Sequence, residues 1–267
     1  MDEFEKELVK NVAELSKEVV GDILHPISKS IGENLGLMVD GVMGWLGCWG
    51  QKQKIKQEKY IEEFKKEICL KISEIPQEHL IEPSVSIAGP IIETSKYYYE
   101  ETHYREMFSN LLASACDKRH IYAIHPSFTE ILKQLAPLDA KLLSMFKYHN
   151  TYPLADLQEE HKDGTITPYN QSIIDFKDKY NEFTLEEYIN LTSSLVNLTR
   201  LGLLLKNRDV IELGYNYNSF KDNFIYQETN KIKQDSQNNL RILSARIELT
   251  ELGRRFISCC LPKKDKV

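Results

Sequence analysis

Apolar residues recur at steps of three or four through the first half of the chain. Phe4, Leu8, Val12, Leu15 and Val19 open the stripe, and Val20, Leu24, Ile27, Ile31, Leu35, Met38, Val42, Trp45 and Trp49 continue it. Residues up to 50 therefore predict amphipathic helices, with Pro26 starting or kinking one of them. From Gln51 to about Ser73 the background turns polar, and Ile61, Phe64, Ile68, Ile72 and Ile75 mark a long surface helix that Pro76 ends. Pro76 and Pro83 bracket a connector. Ile87 to Glu100, around Pro90, and His103 to Cys116 read as helices, the second with a broad buried face of Tyr104, Met107, Phe108, Leu111, Leu112 and Ala115. Ser127 and Glu130 have capping-box spacing, Pro137 reopens the chain, and Leu138 to Tyr148 follows as a further helix. Short helices with short links predict a compact bundle.

Beyond Asn150 the texture changes. Residues 151–182 are polar, with Asp163-Gly164 as a turn signal, and read as a loop-rich linker with a short helix. Leu185 to Leu201 is again a helix, with Tyr188, Ile189, Leu191, Leu195, Leu198 and Leu201 inward. It runs into Gly202-Leu-Leu-Leu205 and a polar stretch. Ile247 and Leu249 then alternate as in a strand before Thr250 caps a terminal helix. This order is similar to a winged helix. The predicted fold is mainly α in character: Gly-rich amphipathic N-terminal helices and a long helix over 1–75, a central helical bundle over 76–150, the linker 151–182, and a C-terminal winged-helix-like α+β domain over 183–267.

Glycine placement sharpens the reading of the first segment. Seven of the twelve glycines and both tryptophans precede residue 51, and Gly41, Gly44, Gly47 and Gly50 recur at every third position. Each glycine costs a helix roughly 1 kcal/mol relative to alanine, so something other than propensity accounts for them. Small residues beside an apolar stripe let another backbone approach, and Gly32 and Gly36 have the GxxxG spacing. Trp45 and Trp49 suit a boundary between apolar and wet phases, and Lys52, Lys54, Lys56 and Lys59 follow. The weakly charged run from Gly36 to Gly50 is shorter than the ~20 residues of a constitutive span, and Asp40 interrupts it. Three readings fit: conditional insertion into a membrane, packing on the protein's own body, or oligomerisation. The residues that would carry membrane contact or self-assembly are Leu35, Gly36, Met38, Gly41, Val42, Gly44, Trp45, Gly47 and Trp49.

Composition is that of a soluble globular protein, with 42% apolar and 28% charged residues in 267. The acidic N-terminus lacks the basic and apolar regions of a secretory signal, which predicts a cytosolic chain. The net charge of −6 lies wholly in residues 1–120, where 15 Lys and Arg face 21 Asp and Glu. Neither part is basic, so nucleic acid is a disfavoured partner. The five cysteines have no CxxC spacing and read as reduced, buried small hydrophobes.

Catalytic motifs are missing: the chain has no P-loop, GxGxxG, GxSxG or HExxH. The seven histidines are scattered, and His125 before Pro126 fits a helix start better than a metal ligand. Adjacent acids such as Glu62-Glu63, Glu100-Glu101 and Glu186-Glu187 diverge on a helix and read as solvated faces. No catalytic residue, metal or cofactor is predicted. Candidate partner-binding residues are Tyr97 and Tyr98, because tyrosine is favoured in interfaces, and Arg200 and Arg208, which flank the winged-helix-like elements.

Several segments together resemble the bacterial abortive infection alpha family, a phage-defence associated domain of unknown function. They are Gly32-Glu-Asn-Leu-Gly36, Ser95-Lys-Tyr-Tyr98, the run from Arg105 to Ser114, His125-Pro-Ser-Phe128, Pro137-Leu-Asp-Ala140, and Ile247-Glu-Leu-Thr250 with Gly253. The resemblance implies a part in defence against bacteriophage and supplies no catalytic residues. The predicted function is a non-enzymatic anti-phage protein. It would sense a phage component, expected to be a protein, then form a homo-oligomer and disrupt the inner membrane through its N-terminal helices. The alternative is a sensor or regulator that binds nucleic acid or a partner protein through the winged-helix-like domain.

Overall fold

The computed structural model describes residues 31, 33–34, 51–147, 149–176, 182–234 and 238–261. They fall into two compact units, one of the described residues up to 134 together with those from 258, the other of the described residues within 135–257.

The first unit is helical. Helix α1 (Gln51–Ser73) buries Phe64, Ile68 and Ile72 at a spacing of four, which lays them along one side. Helix α2 (Val85–Ser95) carries Pro90 in its interior and buries Ala88, Ile91 and Ile92. Gly89 removes the Cβ that a residue before proline would press against the ring. Helix α3 (Thr102–Ala115) packs against α1, α2 and α4 (Ser127–Gln134), and its sequence explains why it is central: Tyr104, Met107, Phe108, Leu111, Leu112 and Ala115 are all buried. Arg105 is buried among them. Its Nε donates to Glu67 at 2.9 Å, its Nη2 lies 3.1 Å from Glu63, and its Nη1 donates to the Tyr99 carbonyl at 2.8 Å. Glu63 thus faces Arg105 across two helices and is not merely a solvated acid. At the start of α4 the His125 ring accepts from the Ser127 amide at 3.2 Å, while Glu130 turns to Lys133 at 2.9 Å. The capping-box spacing is used differently from its sequence reading.

The second unit corrects the expected fold. Helix α5 (Pro137–Met145) is followed by strands β1 (Thr151–Glu160) and β2 (Ile166–Ile174), helix α6 (Leu185–Arg200), strand β3 (Leu204–Asn207), a 3-10 turn (Tyr217–Asp222), helix α7 (Phe224–Gln234), strand β4 (Asn239–Leu249) and helix α8 (Glu251–Cys260). The strands form one antiparallel sheet in the order β2-β1-β4-β3. Residues 151–174, expected as a loop-rich linker, supply half of this sheet, and β1 pairs with β4 from Thr151↔Glu248 to Glu160↔Asn239. β3 and β4 are neighbours, yet no wing hairpin joins them. The intervening chain folds into the 3-10 turn and α7, whose Phe220, Ile225 and Tyr226 pack on Ala155, Leu157, Ile173 and Leu240. The C-terminal region is therefore a four-stranded antiparallel sheet with helices, not a winged helix.

Two junctions fix α6 and α8. Thr184 and Glu187 cap α6 reciprocally, each side chain accepting from the other's amide, at 3.2 and 2.8 Å. At its far end Gly202 has φ +73°, and the Leu203 amide returns to the Leu198 carbonyl at 3.0 Å, a Schellman stop that turns the chain into β3. Thr250 then binds this turn. Its Oγ1 donates to the Gly202 carbonyl at 2.6 Å and accepts from the Gly253 amide at 2.9 Å.

Candidate partner-binding site

β1 is buried on both faces from Tyr152 to Leu157, so any charge there must find partners. Asp156 is that charge. It sits where the β1–β2 register shifts, between Asp156 and Gln158, and its side chain is 10% exposed. Side chains at alternate strand positions share a face. Asp156 and Leu154 therefore lie opposite to Ala155 and Leu157, which pack on the 3-10 turn and α7.

Three side chains satisfy this carboxylate. The Lys206 ammonium is 2.5 Å from Oδ1 and the Ser172 hydroxyl donates to the same oxygen at 2.7 Å. Arg208 reaches Oδ2 through Nη2 at 3.0 Å and Nε at 3.1 Å. Lys206 also donates to Ser172 Oγ at 3.2 Å. Ser172 itself is clamped, its amide donating to Thr192 Oγ1 on α6 at 3.0 Å and its carbonyl accepting from the same hydroxyl at 3.3 Å. Two cations thus share one carboxylate, and one positive charge is left over. Arg208 is 60% exposed and presents that excess outward. Beside it Leu205, Lys206, Asn207, Arg208 and Asp209 line an open cavity of about 490 Å³. Charge-assisted pairing to a carboxylate is the chemistry this arrangement offers.

The other predicted site residues lie apart. Leu35, Gly36, Met38, Gly41, Val42, Gly44, Trp45, Gly47 and Trp49 are outside the described residues. In the first unit Tyr97 is exposed with Lys96 Nζ 5.0 Å from its ring centre, while Tyr98 is half-buried against Tyr104 and Phe108, at ring distances of 5.3 and 5.5 Å. In the second unit Arg200 donates to Asn197 Oδ1 at 2.7 Å and does not join the Asp156 cluster. Sequence reasoning missed Asp156 and Ser172 because it had no strand to put them on. The Lys206-x-Arg208 spacing, which places two cations on one side of an extended chain, was the available signal.

Among the described residues, no group of three or more His, Cys, Asp or Glu is placed to hold a metal ion. Burial pushes the thiols of Cys116 and Cys259 up to about 12 and about 11. No helix of the described residues is long and apolar enough to cross a membrane.

A profile of the family described as abortive infection alpha matches residues 56–260. This covers most of the chain and both units, so the protein belongs to the abortive infection alpha family, whose description ties it to abortive infection, a defence against bacteriophage. The match begins after the glycine-rich stretch. Comparisons with curated proteins and with solved structures find no match.

Proposed function

We propose that the chain is a non-enzymatic abortive-infection effector. Its body senses a phage protein, and its glycine-rich N-terminal helices then self-assemble and disrupt the inner membrane. The observation that carries the reading is the segment Gly36 to Gly50, in which Gly41, Gly44, Gly47 and Gly50 alternate with large apolar residues and Trp45 and Trp49 precede the lysines from Lys52. It lies ahead of the residues shared with the family, which begin at 56. Segments of poor intrinsic helicity are released from a protein at low cost. Assembly would bury their backbone and apolar stripe together. In this reading the protein is stored in the cytosol and reaches the membrane on activation.

The body contributes recognition. Several of its charged residues are tied into fixed pairs, as with Arg105 between Glu63 and Glu67, which supports a rigid platform. The test is uptake of a membrane-impermeant dye by phage-infected cells carrying the intact gene or Gly44→Glu at equal protein level. Dye entry that precedes lysis and disappears in the variant, along with protection, is the expected outcome. Protection that persists in the variant without dye entry overturns the membrane mechanism.

A further inference from the structure

The two edges of the sheet are finished differently. At the β2 edge, α6 closes the backbone: Thr192 bonds both the amide and the carbonyl of Ser172, and Gln171 Nε2 donates to the Ile189 carbonyl at 3.3 Å. β3 is the opposite edge, and its ladder reveals which groups face outward. The Thr250 amide donates to the Leu203 carbonyl at 3.1 Å, which marks 203/250 as a bonded position in the register that continues into β3 and β4, although the Leu203 amide itself returns to Leu198. Antiparallel bonding alternates, which gives Leu205 and Asn207 to β4 and turns the amide and carbonyl of Leu204 and Lys206 away from it; Leu204 is buried, so Lys206 is the position this edge offers. An edge of this kind is a template for another strand.

Side chains around the edge define what the strand must be. Leu205, Val210, Ile211 and Leu213 are exposed apolar residues within nine positions, Leu213 at 95%. Lys206 and Arg208 supply the unneutralised positive charge beside them. A second copy of this chain fits poorly, because antiparallel pairing of β3 with itself would bring these cations together. An extended segment with carboxylates two residues apart and apolar residues between them would meet both features.

We propose that the β3 edge is the docking site for a partner protein, which binds by adding an extended, acidic and apolar segment as a fifth strand, its carboxylates paired with Arg208 and Lys206. This deepens the sensing role proposed above and rests on it. Arg208 uses Nε and Nη2 on Asp156, so its Nη1 donors can take an incoming carboxylate without surrendering the internal pair.

The probe is a labelled nine-residue peptide of alternating valine and glutamate, titrated against the full chain by fluorescence anisotropy at low and moderate salt. Its controls are the valine–lysine counterpart and the same acidic peptide N-methylated at alternate amides. We expect the acidic peptide to bind roughly tenfold or more tightly than either control and to weaken with salt. Arg208→Glu should weaken it by a similar factor. Lys206→Pro should weaken it more than Lys206→Ala, because the proline removes an outward amide that β4 does not use. Circular dichroism checks that each variant is folded, and the N-methylated peptide tests the backbone bonds with the protein unaltered. Equal binding of acidic and basic peptides, no binding, or indifference to N-methylation overturns the proposal. These results leave the dye-uptake outcome untouched, so failure of the docking site and failure of the membrane mechanism are read separately.

Discussion

Replacing Gly253 with alanine separates local propensity from packing by sign. Gly253 lies in helix α8, and propensity alone makes the alanine variant more stable by about 1 kcal/mol. The surroundings say otherwise. A Cβ there would stand 2.2 Å from the Leu203 carbonyl oxygen and 2.8 Å from Leu249 Cδ1, whereas ordinary contact begins at 3.4 Å. The helix must retreat by about 1.2 Å from Leu203. Leu203 O accepts from both the amide and the hydroxyl of Thr250 at 3.1 Å, and each of those bonds contributes about 1 kcal/mol. Overpacking a filled core costs about 1–3 kcal/mol. Set against the propensity gain, the net destabilisation is about 2–4 kcal/mol, or roughly 6–20 °C in Tm for a unit of this size. Urea unfolding and a thermal scan of Gly253→Ala measure it. A variant as stable as the parent would refute the close-approach argument.

Other perturbations report on other parts of the fold. Arg105→Met should destabilise the helical unit by about 2–3 kcal/mol in urea, below the cost of breaking a fully buried pair because Glu63 and Glu67 are partly exposed and can rehydrate; an unchanged midpoint would show that the Arg105 network contributes nothing net. Acid should destabilise the protein. The Lys141 hydrogen bond holds Glu187 below its ordinary 4.5, and Arg254 and Arg255 do the same for Glu251. Burial pushes Asp117 up, but its bonds to Arg119 prevail and hold it below 3.8. A lowered folded-state value stabilises fully above the unfolded value and is lost as pH falls through the folded one, so Tm should hold down to about pH 5 and then fall, less steeply in Glu187→Gln; a Tm constant to about pH 3 would contradict this. Cys116, Cys259 and Cys260, whose thiols burial pushes up, should resist iodoacetamide at neutral pH until the protein unfolds, and peptide mapping showing rapid labelling of any of them would place it outside the core.

Helices were legible in the sequence where one face met the core. The spacing of Phe64, Ile68 and Ile72, the broad face of α3 and the cap at Thr250 all follow from period and end chemistry. The β1–β2 hairpin was hidden for identifiable reasons. Burial of β1 on both faces erases alternation, and Pro153 and Pro168 count against strands. Each proline is tolerated by position. Pro153 lies just beyond the last β2 pair, Leu154↔Ile174, where its carbonyl still accepts from Asp175 at 3.1 Å, and Pro168 is on an edge strand. The 3-10 turn and α7 were hidden because three anchors, Phe220 in the turn and Ile225 and Tyr226 in the helix, do the packing for a long polar stretch. The candidate site was half legible: Arg208 and Lys206 stood out as cations, but the carboxylate that organises them lies some fifty residues earlier in an unforeseen strand.

The chain leaves the helical unit after Gln134 and re-enters it at Ser258. Asn110 and Ser114 of α3 donate to the carbonyls of Cys260 and Cys259 at 3.1 Å each, and Leu261 is buried. On the ribosome, the helical unit is therefore made first but closed last. Its central helix waits, with those donors and an apolar seat uncovered, until the whole sheet-containing insert has been translated. Synthesis order thus acts as a clock: a chain broken off anywhere within the insert carries every upstream segment, the glycine-rich stretch included, on a body that lacks its final turn.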